Sequence, residues 1–76
     1  MSENVEVFVY LENEGVDVWR PTSAENLGGD RYLLHATPGY DPELENWEFT
    51  PGSVVVCQMR QFQGEPEPKL VAVSAS

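Results

Sequence analysis

Between Glu14 and Arg31 the chain reads EGVDVWRPTSAENLGGDR, and no other stretch restricts its fold as much. A turn signal at Asn13-Glu14-Gly15 opens a strand-like run over residues 16–20. Pro21 interrupts that run, and Gly28-Gly29-Asp30 forms the turn that closes it. Turns alternating with short runs rich in β-branched and aromatic residues are the punctuation of an all-β barrel.

The rest of the chain extends this pattern. Residues 5–12 alternate: Val5, Val7, Val9 and Leu11 share one face, and Glu6, Phe8, Tyr10 and Glu12 share the other. Period two with such residues predicts a strand whose Val/Leu set faces the core. Phe8 and Tyr10 are too apolar for a purely solvated face and are expected to cover a second small cluster or line a groove. Pro21 cannot donate to a ladder, so it belongs at an edge or bulge. A bend there, continuing through residues 22–27, lets one long strand curve between two halves of a barrel. Further strands are expected over residues 31–36, 53–62 and 69–73, with residues 1–4 and 74–76 as frayed tails. Val54-Val55-Val56 is apolar on both faces and therefore central.

Residues 37–45, TPGYDPELE, form the longest irregular stretch. Asp41-Pro42-Glu43-Leu44-Glu45 suits one helical turn, because proline fits the first helical position and acids favour a helix N-terminus. Trp47-Glu48-Phe49 is a brief extended piece, and Pro51-Gly52 signals a type II turn. Five strands and one long acidic loop predict a single domain: a small SH3-like half-open barrel. An oligonucleotide-binding barrel is the rival fold, with strands and chain usually longer.

Composition narrows the function. With 76 residues the core supplies only about 3–5 kcal/mol, so nearly all apolar residues are needed for structure. Thirteen acidic residues against four basic ones give a net charge of −9. Phosphate backbones are bound by neutralising Lys and Arg, so direct nucleic-acid recognition is disfavoured. The acidity serves solubility, or it steers the surface toward a basic protein partner. Cys57 is the single cysteine, which rules out an internal disulfide. No signal peptide and no apolar run of about 20 residues is visible, so a soluble, cytoplasmic protein without membrane association is expected.

The motifs YLENEGVDVWRPTSAENLGGDRYLL and WEFTPGSVV resemble those of a group of short, acidic, uncharacterised bacterial proteins. The pattern would run over residues 7–73. It implies a stand-alone domain and brings no activity or catalytic residue with it.

Constellations for chemistry are sparse. His35, the single histidine, lies in an apolar run and reads as a structural or surface residue; with Cys57 it could in principle make a thiol–imidazole pair. Cys57, among valines, reads as a buried inert thiol. DPELENWE lacks the alternation and central glycine of a calcium loop, and NLGGDRY lacks the lysine of a phosphate loop. No metal, cofactor or enzymatic activity is expected. What stands out is aromatic residues interleaved with acids. Trp19, Arg20, Tyr40, Asp41, Glu43, Glu45, Trp47 and Phe49 are the candidate partner-binding residues, since Trp and Tyr are enriched at interface hot spots. On that reading Trp47→Ala loses binding and keeps the fold; alternatively, Trp19 and Trp47 are both core plugs. The chain is expected to be a protein-interaction module, with homo-oligomerisation a plausible supplement. An acidic inhibitor mimicking nucleic-acid charge in a partner's basic groove is the alternative.

Overall fold

The computed structural model describes residues 4–76; the expected fraying of residues 1–3 lies outside the described residues. Five strands follow in order: β1 (Asn4–Leu11), β2 (Val18–Gly28), β3 (Arg31–Leu34), β4 (Val54–Arg60) and β5 (Lys69–Ala75). Each consecutive pair is antiparallel. An odd number of strands joined in this way leaves the first and last pointing in the same direction. The ring therefore closes by a parallel pairing of β1 with β5, through the register pair Phe8↔Val71. The protein is all-β, with no helix among the described residues, and hence none long and apolar enough to cross a membrane.

β2 is the long strand that curves. Its residues 18–25 pair with β1, and its residues 24–28 pair with β3. Pro21 lies inside it rather than ending it, and the ladder tolerates the missing N–H for a geometric reason. His35 donates its backbone N–H to the Ser23 carbonyl, so the odd-numbered residues of β2 aim their polar groups toward β3. β3 stops at Leu34, and Pro21 meets an open edge where no donor is required. At the start of the strand, Val16 and Asp17, expected to extend, stay in the loop, and Val16 is exposed.

Alternation on β1 fills the interior. Val7, Val9 and Leu11 are buried together with Ala24, Leu34, Val55, Cys57, Ala72 and Trp47 in one cluster. Thr22 is the buried polar residue, and its hydroxyl donates to the His35 carbonyl. Pro51-Gly52 makes the expected turn: Gly52 has φ +89°, and Ser53 N–H donates to the Thr50 carbonyl at 3.1 Å. Asn4, Ser74 and Ala75 are corrections to the expected tails, because Asn4 pairs with Glu25, Ser74 with Val56 and Ala75 with Val55. Ser76 also donates its backbone N–H to Val54.

Candidate functional site

The wall formed by β1 and the first half of β2 carries aromatic residues on both sides, and the two sides differ. On the inner side, the connection over residues 35–53 brings aromatic rings to the core. Asp41 opens a single turn there: its carboxylate accepts from Glu43 N–H at 2.9 Å and its carbonyl from Glu45 N–H at 3.1 Å. One helical turn was expected over residues 41–45; the chain makes a hydrogen-bonded turn there that is not a helix. The turn returns the chain to β1, where Leu11 and Trp47 form an antiparallel bridge. Glu12 N–H donates to the Asn46 carbonyl at 2.7 Å, and Glu48 N–H to the Tyr10 carbonyl at 2.9 Å.

These bonds carry Trp47 inward until it is 4% exposed. Tyr40 meets its indole edge-on at 4.9 Å, and Tyr40 and Phe49 both pack against the core. A buried indole N–H needs an acceptor. Glu45 supplies it: Oε1 accepts from Trp47 Nε1 at 3.0 Å and from Arg20 Nε at 2.9 Å. Arg20 stands opposite Val9 in the ladder and so shares its inward face. The Arg20–Glu45 contact is the one ion pair among the described residues.

The outer side of the wall collects a second set of rings. Cross-strand pairing sets Tyr10 beside Trp19 and Phe8 beside Pro21. The rings of Tyr10 and Trp19 lie 5.3 Å apart. Phe62 completes the group, 5.4 Å from Trp19 and 6.0 Å from Phe8. It was expected at the end of a strand, but β4 stops at Arg60. A turn in which Glu65 N–H donates to the Phe62 carbonyl, with Gly64 at φ +85°, folds the chain back over β1 and β2. Phe8, Tyr10, Trp19 and Phe62 are all half-buried, and none belongs to the core cluster. Arg60 places its guanidinium 5.9 Å from the centre of the Trp19 ring. Phe8, Trp19, Phe62, Gln63, Glu65 and Lys69 line a groove of about 310 Å³.

Acids gather at the Tyr10 end of this face. The Tyr10 hydroxyl donates to Asp17 Oδ1 across a long 3.3 Å. Desolvation among its neighbours raises the phenol above its ordinary value, and the charges of Asp17, Glu48 and Glu12 add to the shift. Lys69 and Arg60 stand at the other end.

The structure thus divides the expected partner-binding set. Trp19 is on the outer face. Trp47 is a core residue, with Tyr40 and Phe49 packed beside it, and Arg20 and Glu45 are joined beneath. Asp41 is half-buried at the cap and Glu43 is exposed in its turn. Of the outer-face residues, Phe8 and Tyr10 were legible from their place in the polar phase of β1. Phe62, Arg60 and Lys69 were not, because a long-range return of the chain brings them there.

Cys57 is buried in the core cluster, whereas His35 has its Nδ1 3.4 Å from the Ser23 hydroxyl. Burial pushes the Cys57 thiol up to about 11, with Asp30 contributing. Among the described residues no group of three His, Cys, Asp or Glu side chains is placed to hold a metal ion. A larger groove, about 470 Å³, runs between residues 21–23 and 36–38; it contains no aromatic ring and one ionisable side chain, Glu6. No family model, no curated protein and no solved structure matches this chain.

Proposed function

We propose that this chain is a non-enzymatic, cytoplasmic protein-interaction module of the SH3-like barrel kind. It holds a basic, proline-containing segment of a partner protein against the outer face of β1 and β2. One observation carries this reading: four aromatic rings stand outside the main core cluster, on the side where Phe8 pairs with the buried Val71, and three of them line an open groove. Alternation would ordinarily give that face to polar side chains. A half-buried aromatic set with a shallow groove is the surface on which extended, proline-containing segments dock. The acids Glu12, Asp17 and Glu48 around Tyr10 suit a basic residue flanking the docked segment.

Charge dispersal favours this reading over nucleic-acid mimicry. Carboxylates occur in all four connections between strands and on β1 and β2 as well, not in one segment. The test is an array of basic, proline-containing peptides probed with the wild-type protein and with Trp19→Ala. Binding that persists in moderate salt and disappears in the folded variant supports the module. Exposed charge–charge attraction alone is screened within about 10 Å at 0.1 M salt. Binding that is untouched by Trp19→Ala, or lost entirely on adding salt, overturns it.

A further inference from the structure

The aromatic face has a second end, and its chemistry is opposite to the first. The chain has four basic residues, and two of them, Arg60 and Lys69, are direct cross-strand partners between β4 and β5. Paired positions on a sheet point to the same side, with Cβ atoms about 5 Å apart, and like charges so placed repel. In a protein of net charge −9 a carboxylate opposite either one would remove the repulsion. Neither residue forms an ion pair among the described residues. Arg60 lies over Trp19, and Lys69 lines the groove that Trp19 shares with Phe8 and Phe62. Two cations that form no ion pair among the described residues therefore flank an aromatic slot, with Glu65 in the same groove.

We propose that Arg60 and Lys69 form a carboxylate subsite, which receives an Asp or Glu side chain of the bound peptide next to its apolar anchor. This rests on the reading of the outer face as a peptide-docking surface, and it gives that surface a direction. The basic flank of the peptide lies by Tyr10 and Asp17, the anchor over Trp19 and Phe62, and the acidic flank at Arg60 and Lys69. A monoanion fits better than a phosphate dianion, because Glu65 lines the same groove and the net charge of the protein opposes each added negative charge. A guanidinium held over an indole still offers its edge to a carboxylate.

The experiment uses three synthetic peptides that share a lysine flank and a proline-aromatic anchor and end in Asp, Asn or phosphoserine. Their affinities are measured by tryptophan fluorescence in a Trp47→Phe background and by calorimetry, for the otherwise wild-type protein and for the Arg60→Gln/Lys69→Gln double variant. The Asp peptide is expected to bind the wild type about three- to tenfold tighter than the Asn peptide. That preference is expected to vanish in the double variant, whose fold tolerates the change because it removes a repulsive pair. Equal binding of the Asp and Asn peptides by the wild type overturns the subsite and leaves the docking surface standing. A preference that survives in the double variant overturns the assignment to these two residues. Tighter binding of the phosphoserine peptide overturns the choice of carboxylate. Binding of no peptide at all overturns the subsite and the docking surface together.

Discussion

Trp47 and Trp19 each sit among acids and apolar residues with a proline two to four positions on, yet they have opposite fates. Trp47 begins in an irregular loop and finishes in the core, with its N–H bonded to Glu45 and Tyr40 against its ring. Trp19 begins in a regular strand and finishes on the outside, between Tyr10 and Phe62 with Arg60 above it. The strand sets the side of Trp19 by parity alone, since its neighbours Val18 and Arg20 take the inner face. A loop has no such parity, so Trp47 goes wherever the returning chain can bury it. In a small barrel, a tryptophan in a loop can thus enter the core while one in a strand stands outside it.

The contrast breaks first at Trp47. Trp47→Ala should remove about 3–5 kcal/mol, comparable with the whole stability of a domain this small, and leave the chain largely unfolded in circular dichroism and urea titration. A folded Trp47→Ala variant with a urea midpoint near the wild-type value would return Trp47 to the surface. Glu45→Ala should cost about 1–3 kcal/mol by leaving the buried indole N–H without an acceptor. Glu45→Gln should recover most of that loss, since it keeps the acceptor. Recovery is expected because the partly exposed ion pair to Arg20 contributes no more than about 1 kcal/mol.

Alkaline pH tests the inner side in another way. Folded Cys57 keeps its proton up to about 11, whereas an unfolded cysteine loses it near 9. The unfolded state therefore releases its proton first. Stability attributable to this thiol is complete below pH 9 and declines between about 9 and 11. Cys57→Ser should flatten that part of a stability–pH curve, and an unchanged slope would show that the thiol is not the source. Trp19→Ala sharpens the comparison from the outside: it should cost about 2 kcal/mol in urea titration, from two lost ring contacts and half-buried area, less than Trp47→Ala, while abolishing peptide binding. The smallest effect is spectroscopic. Asp17→Asn should lower the ultraviolet titration midpoint of Tyr10 toward the ordinary phenol value, because Asp17 is the largest charged contributor to its upward displacement.

Much of the architecture was legible where local chemistry decides it. The alternation over residues 5–12, the Gly28–Asp30 turn, the Pro51-Gly52 turn and a turn opening at Asp41 all depend on neighbouring residues and recur in the structure, the last without becoming a helix. The strand through Pro21 was half legible. A bend there was foreseen, but that β3 would end early enough to leave the proline facing an open edge depends on a partner some distance along the chain. The candidate site was legible for Trp19 and partly for Phe8 and Tyr10. Its other half, Phe62 with Arg60 and Lys69, depends on where the turn at residues 62–65 lands. No periodicity records that landing, and the same limit left the burial of Trp47 as one of two readings.

The odd strand count has a practical effect on how this domain can be joined to others. With β1 and β5 running side by side in the same direction, Asn4 opens one and Ala75 closes the other at opposite ends of their strands. Copies fused in series would tend to extend away from one another instead of doubling back. A circular permutant would need a linker crossing the full length of a strand, about 25 Å for seven or eight residues. A label or tether attached after β5 would leave the entry to β1 unobstructed.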